Sequence, residues 1–183
     1  MKKMKMKMIL VVATIATTGL LSQGAQAADI NRTFALGLTN PGTTYFGDIF
    51  DTPTSGKTFS DQFTFTISSA NLDAVVASIS TNTAFDLDIT GFSLINTATS
   101  AVVASGTQLS TGTLDTWTLA GVTVGAGSYA LVVDGKVLGA YGGSFGGNVN
   151  AVPEPETYAM LLAGLGVMGA IGRRKTKSSE DRS

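Results

Sequence analysis

From Phe59 to Ile67 the apolar side chains fall on alternate positions: Phe59, Phe63, Phe65 and Ile67 share one parity, and Ser60, Gln62, Thr64 and Thr66 take the other. A period of two is that of an extended strand with one buried and one wetted face, and a helix cannot carry it. Phe34, Leu36 and Leu38 repeat the pattern, and further short apolar runs lie at 72–79, 101–104, 113–119 and 128–137, separated by Gly, Asn and Asp. The middle of the chain is therefore expected to be all-β, an antiparallel β-sandwich of jelly-roll-like form without a helix. Between Ile89 and Phe92 the apolar parity switches, and a β-bulge at Gly91 restores the buried face. Val122 and Val124 are assigned to a connecting piece. The glycine-rich stretch 139–148 lacks the Lys-Ser/Thr pair and following helix of a phosphate loop, and reads as a turn running into a flexible linker.

Asp61 breaks the pattern, because it occupies the apolar parity between Phe59 and Phe63. A buried carboxylate is costly unless it is paired, hydrogen-bonded or bound to a cation. It is expected to be a structural acceptor with fixed partners, with Ca²⁺ ligation or a glycan contact as the alternative. Asp48 and Asp51 fall in a loop and Asp86 and Asp88 on the wetted side of a strand, where solvated acids are the ordinary case. The lone Trp117 sits among alternating Thr, Leu and Val residues and is expected in the core.

Composition removes whole classes of function. Cysteine and histidine are both absent, which rules out thiol nucleophiles, disulfides, thiolate or imidazole metal sites and any triad with a histidine base. Between Ala28 and Val152 there is no glutamate until the tail begins, and no two aspartates are placed by sequence at the separation glycoside hydrolysis needs. No catalytic residue, cofactor or metal is assigned, and the chain is expected not to be an enzyme. In the same stretch Arg32, Lys57 and Lys136 stand against nine aspartates, an acidic balance that disfavours nucleic acid as a partner.

The two ends have a different composition. Lys2, Lys3, Lys5 and Lys7 precede an apolar run from Met8 to about Leu21 and the small-x-small exit Ala25-Gln26-Ala27, the order of a secretory signal peptide cleaved between Ala27 and Ala28 by signal peptidase after passage through the Sec machinery. At the other end Pro153, Glu154 and Pro155 lead into an apolar stretch from Thr157 to Gly172, closed by Arg173, Arg174 and Lys175. The prolines favour an extended approach that a processing enzyme can bind. The following helix is expected to be transmembrane, with the basic cluster as a cytoplasmic stop. It is short: about 16 residues give roughly 24 Å against a hydrocarbon core near 30 Å. Residues 1–27, 28–148 and 149–183 are thus read as leader, extracytoplasmic domain, and linker with sorting tail.

The run from Val152-Pro-Glu-Pro-Glu-Thr-Tyr to Arg173-Arg174-Lys175 resembles the PEP-CTERM sorting domain of Gram-negative bacteria, a tail also called an ice-binding protein C-terminal domain without any implication of ice binding. The resemblance implies recognition of Pro153, Glu154 and Pro155 by an exosortase and removal of the helix. It also implies an inner-membrane precursor and a product at the cell surface or in the extracellular matrix. Phe59-Ser-Asp61-Gln-Phe63 resembles the FxDxF motif of one subgroup, whose late Gly-x-Tyr-x-Leu-x-Val strand is similar to Gly127–Gly135. The family association with exopolysaccharide and biofilm makes a structural surface protein the expected function, with extracellular polysaccharide as a partner and a glycan- or calcium-binding module as the alternative.

Overall fold

The computed structural model describes residues 29–153 and 155–180. Ten strands precede one helix: β1 (Ile30–Ala35), β2 (Gly42–Phe50), β3 (Thr58–Ile67), β4 (Ala70–Ile79), β5 (Leu87–Asn96), β6 (Ala101–Ser105), β7 (Thr107–Ser110), β8 (Leu114–Val124), β9 (Gly127–Val137), β10 (Gly143–Val152) and α1 (Pro155–Glu180). They form two five-stranded sheets, ordered β1-β3-β9-β5-β6 and β2-β10-β4-β8-β7. Apart from β5–β6 and β7–β8, every connection crosses from one sheet to the other, a jelly-roll-like winding.

The alternation explains the packing. Phe59, Phe63, Phe65 and Ile67 are all buried, and the rings of Phe59 and Phe63 meet the opposite sheet. Phe59 lies 4.6 Å from Phe50 and 5.6 Å from Phe145, while Phe63 lies 4.9 Å from Phe46. Offset and tilted rings at such distances add to the apolar burial that holds two sheets face to face. The bulge predicted at Gly91 is present as a register shift between Ile89 and Gly91 against β9. A second shift joins what the sequence reading separated. Leu72 faces Val122 and Ala74 faces Leu119, so Ala120 and Gly121 together oppose Asp73, and the apolar parity of β8 resumes at Val122. Gly121 has φ +63° and donates its N–H to Asp73 Oδ1 at 2.7 Å, a left-handed step that costs glycine little.

Two expectations are corrected. The sandwich is not wholly antiparallel: β1 pairs with β3 in parallel, because two crossings, through β2 and back, return the chain to the pole from which it started. Residues 143–148 are not part of a flexible linker but belong to β10, hydrogen-bonded to β2 on one side and β4 on the other. Its Phe145, Val149 and Ala151 are buried, so the sheet continues to Val152, past the boundary drawn at 148. Glycine suits this strand because of close contacts: a Cβ on Gly147 would strike Val75 O and approach Phe46 Cζ to 2.7 Å. The expected C-terminal helix is present as α1; no helix among the described residues is long and apolar enough to cross a membrane. Its apolar run stops at the basic cluster, and the remaining turns to Glu180 are polar.

Candidate functional site: a buried carboxylate pair and the C-terminal motif

Asp61 is fully buried on β3, flanked by the buried rings of Phe59 and Phe63. Register places it beside Arg32 of β1 and Val133 of β9. Arg32 shares the inward parity of Ile30 and Phe34, and reaches across the open side of the sandwich to β2. There its Nη1 donates to Asp48 Oδ2 at 2.5 Å and to Ile49 O at 3.2 Å, with the guanidinium carbon 5.2 Å from the centre of the Phe50 ring. Asp48 also accepts the Ile49 N–H through Oδ1 at 2.7 Å. The cluster thus contains two carboxylates and one guanidinium between two sheets.

Neither oxygen of Asp61 meets a donor among the described residues. Burial therefore pushes its carboxyl up from 3.8 to about 7; Asp48 reinforces this, as acceptor for the Asp61 proton and as a like charge, against the weaker opposing pull of Arg32. The physical picture is one ion pair, Arg32–Asp48, with Asp61 behind it keeping its proton to higher pH than an exposed acid does. Asp61 thus lies behind the Arg32–Asp48 ion pair without the set of fixed donors expected for it. Asp48, expected in a loop as a solvated acid, lies instead on β2, and Arg32, to which the sequence assigned no role, lies on β1; each occupies an apolar parity, the same signal that singled out Asp61.

At the pole containing the β4–β5, β7–β8 and β9–β10 loops lies a hollow of about 420 Å³, lined in part by Asn82, Asp86, Asp88 and Asp115. Asp115 is buried and accepts N–H groups from Ile89 at 3.3 Å and Gly112 at 3.0 Å. Asp88 is raised by its burial first, then by the charge and hydrogen bonding of Asp115 and the charge of Asp86. Asp86 and Asp88 are therefore half-buried rather than freely solvated. Among the described residues no three acids converge in a way that could hold a metal ion. Trp117 packs against the core and donates Nε1–H to Ile89 O at 3.0 Å.

The tail follows the fold without an intervening spacer. Val152 ends β10 beside Asn71 of β4, and α1 begins at Pro155. Tyr158, Met160, Leu161, Leu162, Leu165, Val167, Met168 and Ile171 are between 49% and 77% exposed, so nothing in the sandwich covers this helix. Arg173, Arg174 and Lys175 lie within the helical backbone. Glu154 and the expected leader residues Ala25, Ala27 and Ala28 lie outside the described residues.

An aromatic-cored β-sandwich joined directly to an uncovered helical tail defines a class of two-part chains, in which one part folds and the other is addressed to something else. Residues 151–175 match the model of the PEP-CTERM protein-sorting motif, so this chain carries that motif, which marks it as exported and targeted to an exosortase. The match does not extend to Phe59, Asp61 and Phe63. No curated protein matches the chain. Among solved structures the pre-peptidase C-terminal domain of a Bacillus anthracis collagenase has 14% identity and a TM-score of 0.37, over 68% of this chain and 98% of that one. PliG of Aeromonas hydrophila, a periplasmic inhibitor of g-type lysozyme, has 13% identity and a TM-score of 0.34, over 66% and 98%. At these scores neither likeness bears on function.

Proposed function

We propose that the chain is a non-enzymatic surface or extracellular-matrix protein, whose sandwich acts by its presence in an exopolysaccharide or biofilm layer and whose tail is used once, in sorting. The observation carrying this reading is the PEP-CTERM match over 151–175, placed immediately after a domain that packs completely without it. Signal peptidase removes residues 1–27, and the uncovered apolar part of α1 inserts in the inner membrane as the precursor's anchor. Tyr158 lies near its start, and the basic cluster follows its end. The exosortase then acts at Pro153, Glu154 and Pro155. In the same reading Phe59, Asp61 and Phe63 are the FxDxF signature of a subgroup, and Asp61 is structural.

The test is the C-terminal mass of the product. Protein from an exosortase-deficient strain should retain α1, and the parent strain should release it; equal masses from the two strains would sink the reading. Replacing Pro153, Glu154 and Pro155 together by Ala should leave the precursor in the membrane fraction. Mass analysis of the same material should place the mature N-terminus at Ala28.

A further inference from the structure

The charges of the sandwich are distributed unevenly between its two poles. At the pole where β10 ends, the loops are residues 36–41, 68–69, 97–100 and 125–126, and none contains Asp, Glu, Lys or Arg. Thr39, Ser68, Ser69, Thr99, Ser100 and Ala126 are exposed there. The charges nearest these loops are Asp73, inside β4 and bonded to Gly121, and Glu154 and Glu156 of the exiting chain. At the opposite pole lie Asp29, Asp51, Lys57, Asp86, Asp88 and Lys136, with Asp115 buried beneath. The strands between the poles have 10 or 11 residues in β3, β4, β8, β9 and β10, a separation of about 30 Å at 3.3 Å per residue.

We infer that the uncharged pole is a docking face for the phospholipid headgroups of the membrane from which the precursor is processed. This rests on the reading of α1 as the precursor's membrane element, and chain length then fixes the distance. Pro153, Glu154 and Pro155 can span at most about 10 Å even when fully extended. Headgroups and interface add about 5–7 Å on each side of the hydrocarbon. Little length remains, so the pole that surrounds Val152 touches the headgroups whenever the apolar part of α1 is inserted. Short hydroxyl side chains and loop amides can bond to headgroup oxygens, and none of the four loops contains a carboxylate. The acids of the far pole stand about 30 Å away, several times the Debye length of about 8 Å at physiological salt. Their repulsion by the membrane is screened at that distance.

The chain has no cysteine, so a single label can be placed at will. The exported precursor retaining α1, with Ser68→Cys, Thr99→Cys or Thr83→Cys carrying an environment-sensitive fluorophore, is reconstituted in vesicles of phosphatidylethanolamine and phosphatidylglycerol doped with a headgroup nitroxide. The labels at 68 and 99 should be quenched several-fold more than the far-pole label at 83. Co-flotation with the vesicles is read on the same samples. Flotation with equal quenching at all three sites overturns the seated pole and leaves the membrane reading of α1 intact. Failure to float overturns both.

Discussion

Asp61 makes the stability of this protein depend on pH in an unusual direction. Its carboxyl ionises near 7 in the fold and near 3.8 when free of it, so between those values the native state holds a proton that the unfolded chain has released. Stability from this group is complete below about pH 4 and is lost as pH rises through about 7. Asp88, raised by burial and by Asp115, adds in the same sense. Asp29 acts in the opposite sense, because Thr58 N–H and hydroxyl donate to it and hold it low; its contribution is lost as pH falls below its ordinary value. The urea midpoint of the wild type should therefore be higher at pH 5 than at pH 8. Asp61→Asn, a near-isostere without the charge, should flatten that dependence and gain about 1–3 kcal/mol at pH 8, within the roughly 1.4 kcal/mol per pKa unit that linkage allows. A variant that is no more stable than wild type at pH 8 would remove the ionisation penalty from the account. Arg32→Met strands Asp48 beside Asp61 and should cost about 3 kcal/mol at pH 8, less at pH 5 where Asp61 is neutral. Thermal melts with Ca²⁺ and with chelator complete the comparison; a Ca²⁺-dependent rise confined to the wild type would make Asp61 a ligand instead.

At the scale of elements the decisive strand is β10, and its glycines differ sharply. A Cβ on Gly147 meets the Val75 carbonyl and the Phe46 ring, whereas on Gly146 the nearest atom is Phe46 O at 3.9 Å. Gly147→Ala should lower stability by about 2 kcal/mol or more through overpacking, and Gly146→Ala, one residue away, should lie within about 0.5 kcal/mol of wild type. Chemical denaturation of the pair checks both values. The same glycines explain why β10 was not legible in the sequence. A strand whose inward positions are Phe145, Gly147, Val149 and Ala151 lacks the bulky alternation that marks β3, and its composition is that of a turn. Strands with large inward side chains, such as β3 and β9, could be read directly. The bulge at Gly91 was legible because Ile89 and Phe92 change parity across it; Leu119 and Val122 give the same sign across Gly121, but the short run Val122 and Val124 reads as a connecting piece instead. The site was half legible. Asp61 stood out against three phenylalanines, but its partners belong to strands 13 and 29 residues away in sequence, and only the folded register brings them together.

For the whole molecule, the continuous passage from β10 into the sorting motif means that the processing enzyme works close to a finished fold. Inserting six Gly/Ser residues after Val152 should leave the stability of the sandwich unchanged, because β10 already ends there. It should also weaken quenching of the labels at 68 and 99 in the vesicle measurement, since the pole is then free to lift away. Quenching unaffected by the insertion would mean that the headgroups hold the pole by themselves rather than through the short tether. The parallel pairing of β1 with β3 has a consequence for engineering. It places Ile30 and Val152 at opposite ends of the strands, so the sandwich behaves as a strut with its entrance and exit about 30 Å apart. An enzyme or antigen grafted in front of Asp29 would be held aloft on the outer tip, clear of the lipid and of the cutting site, without any added stalk.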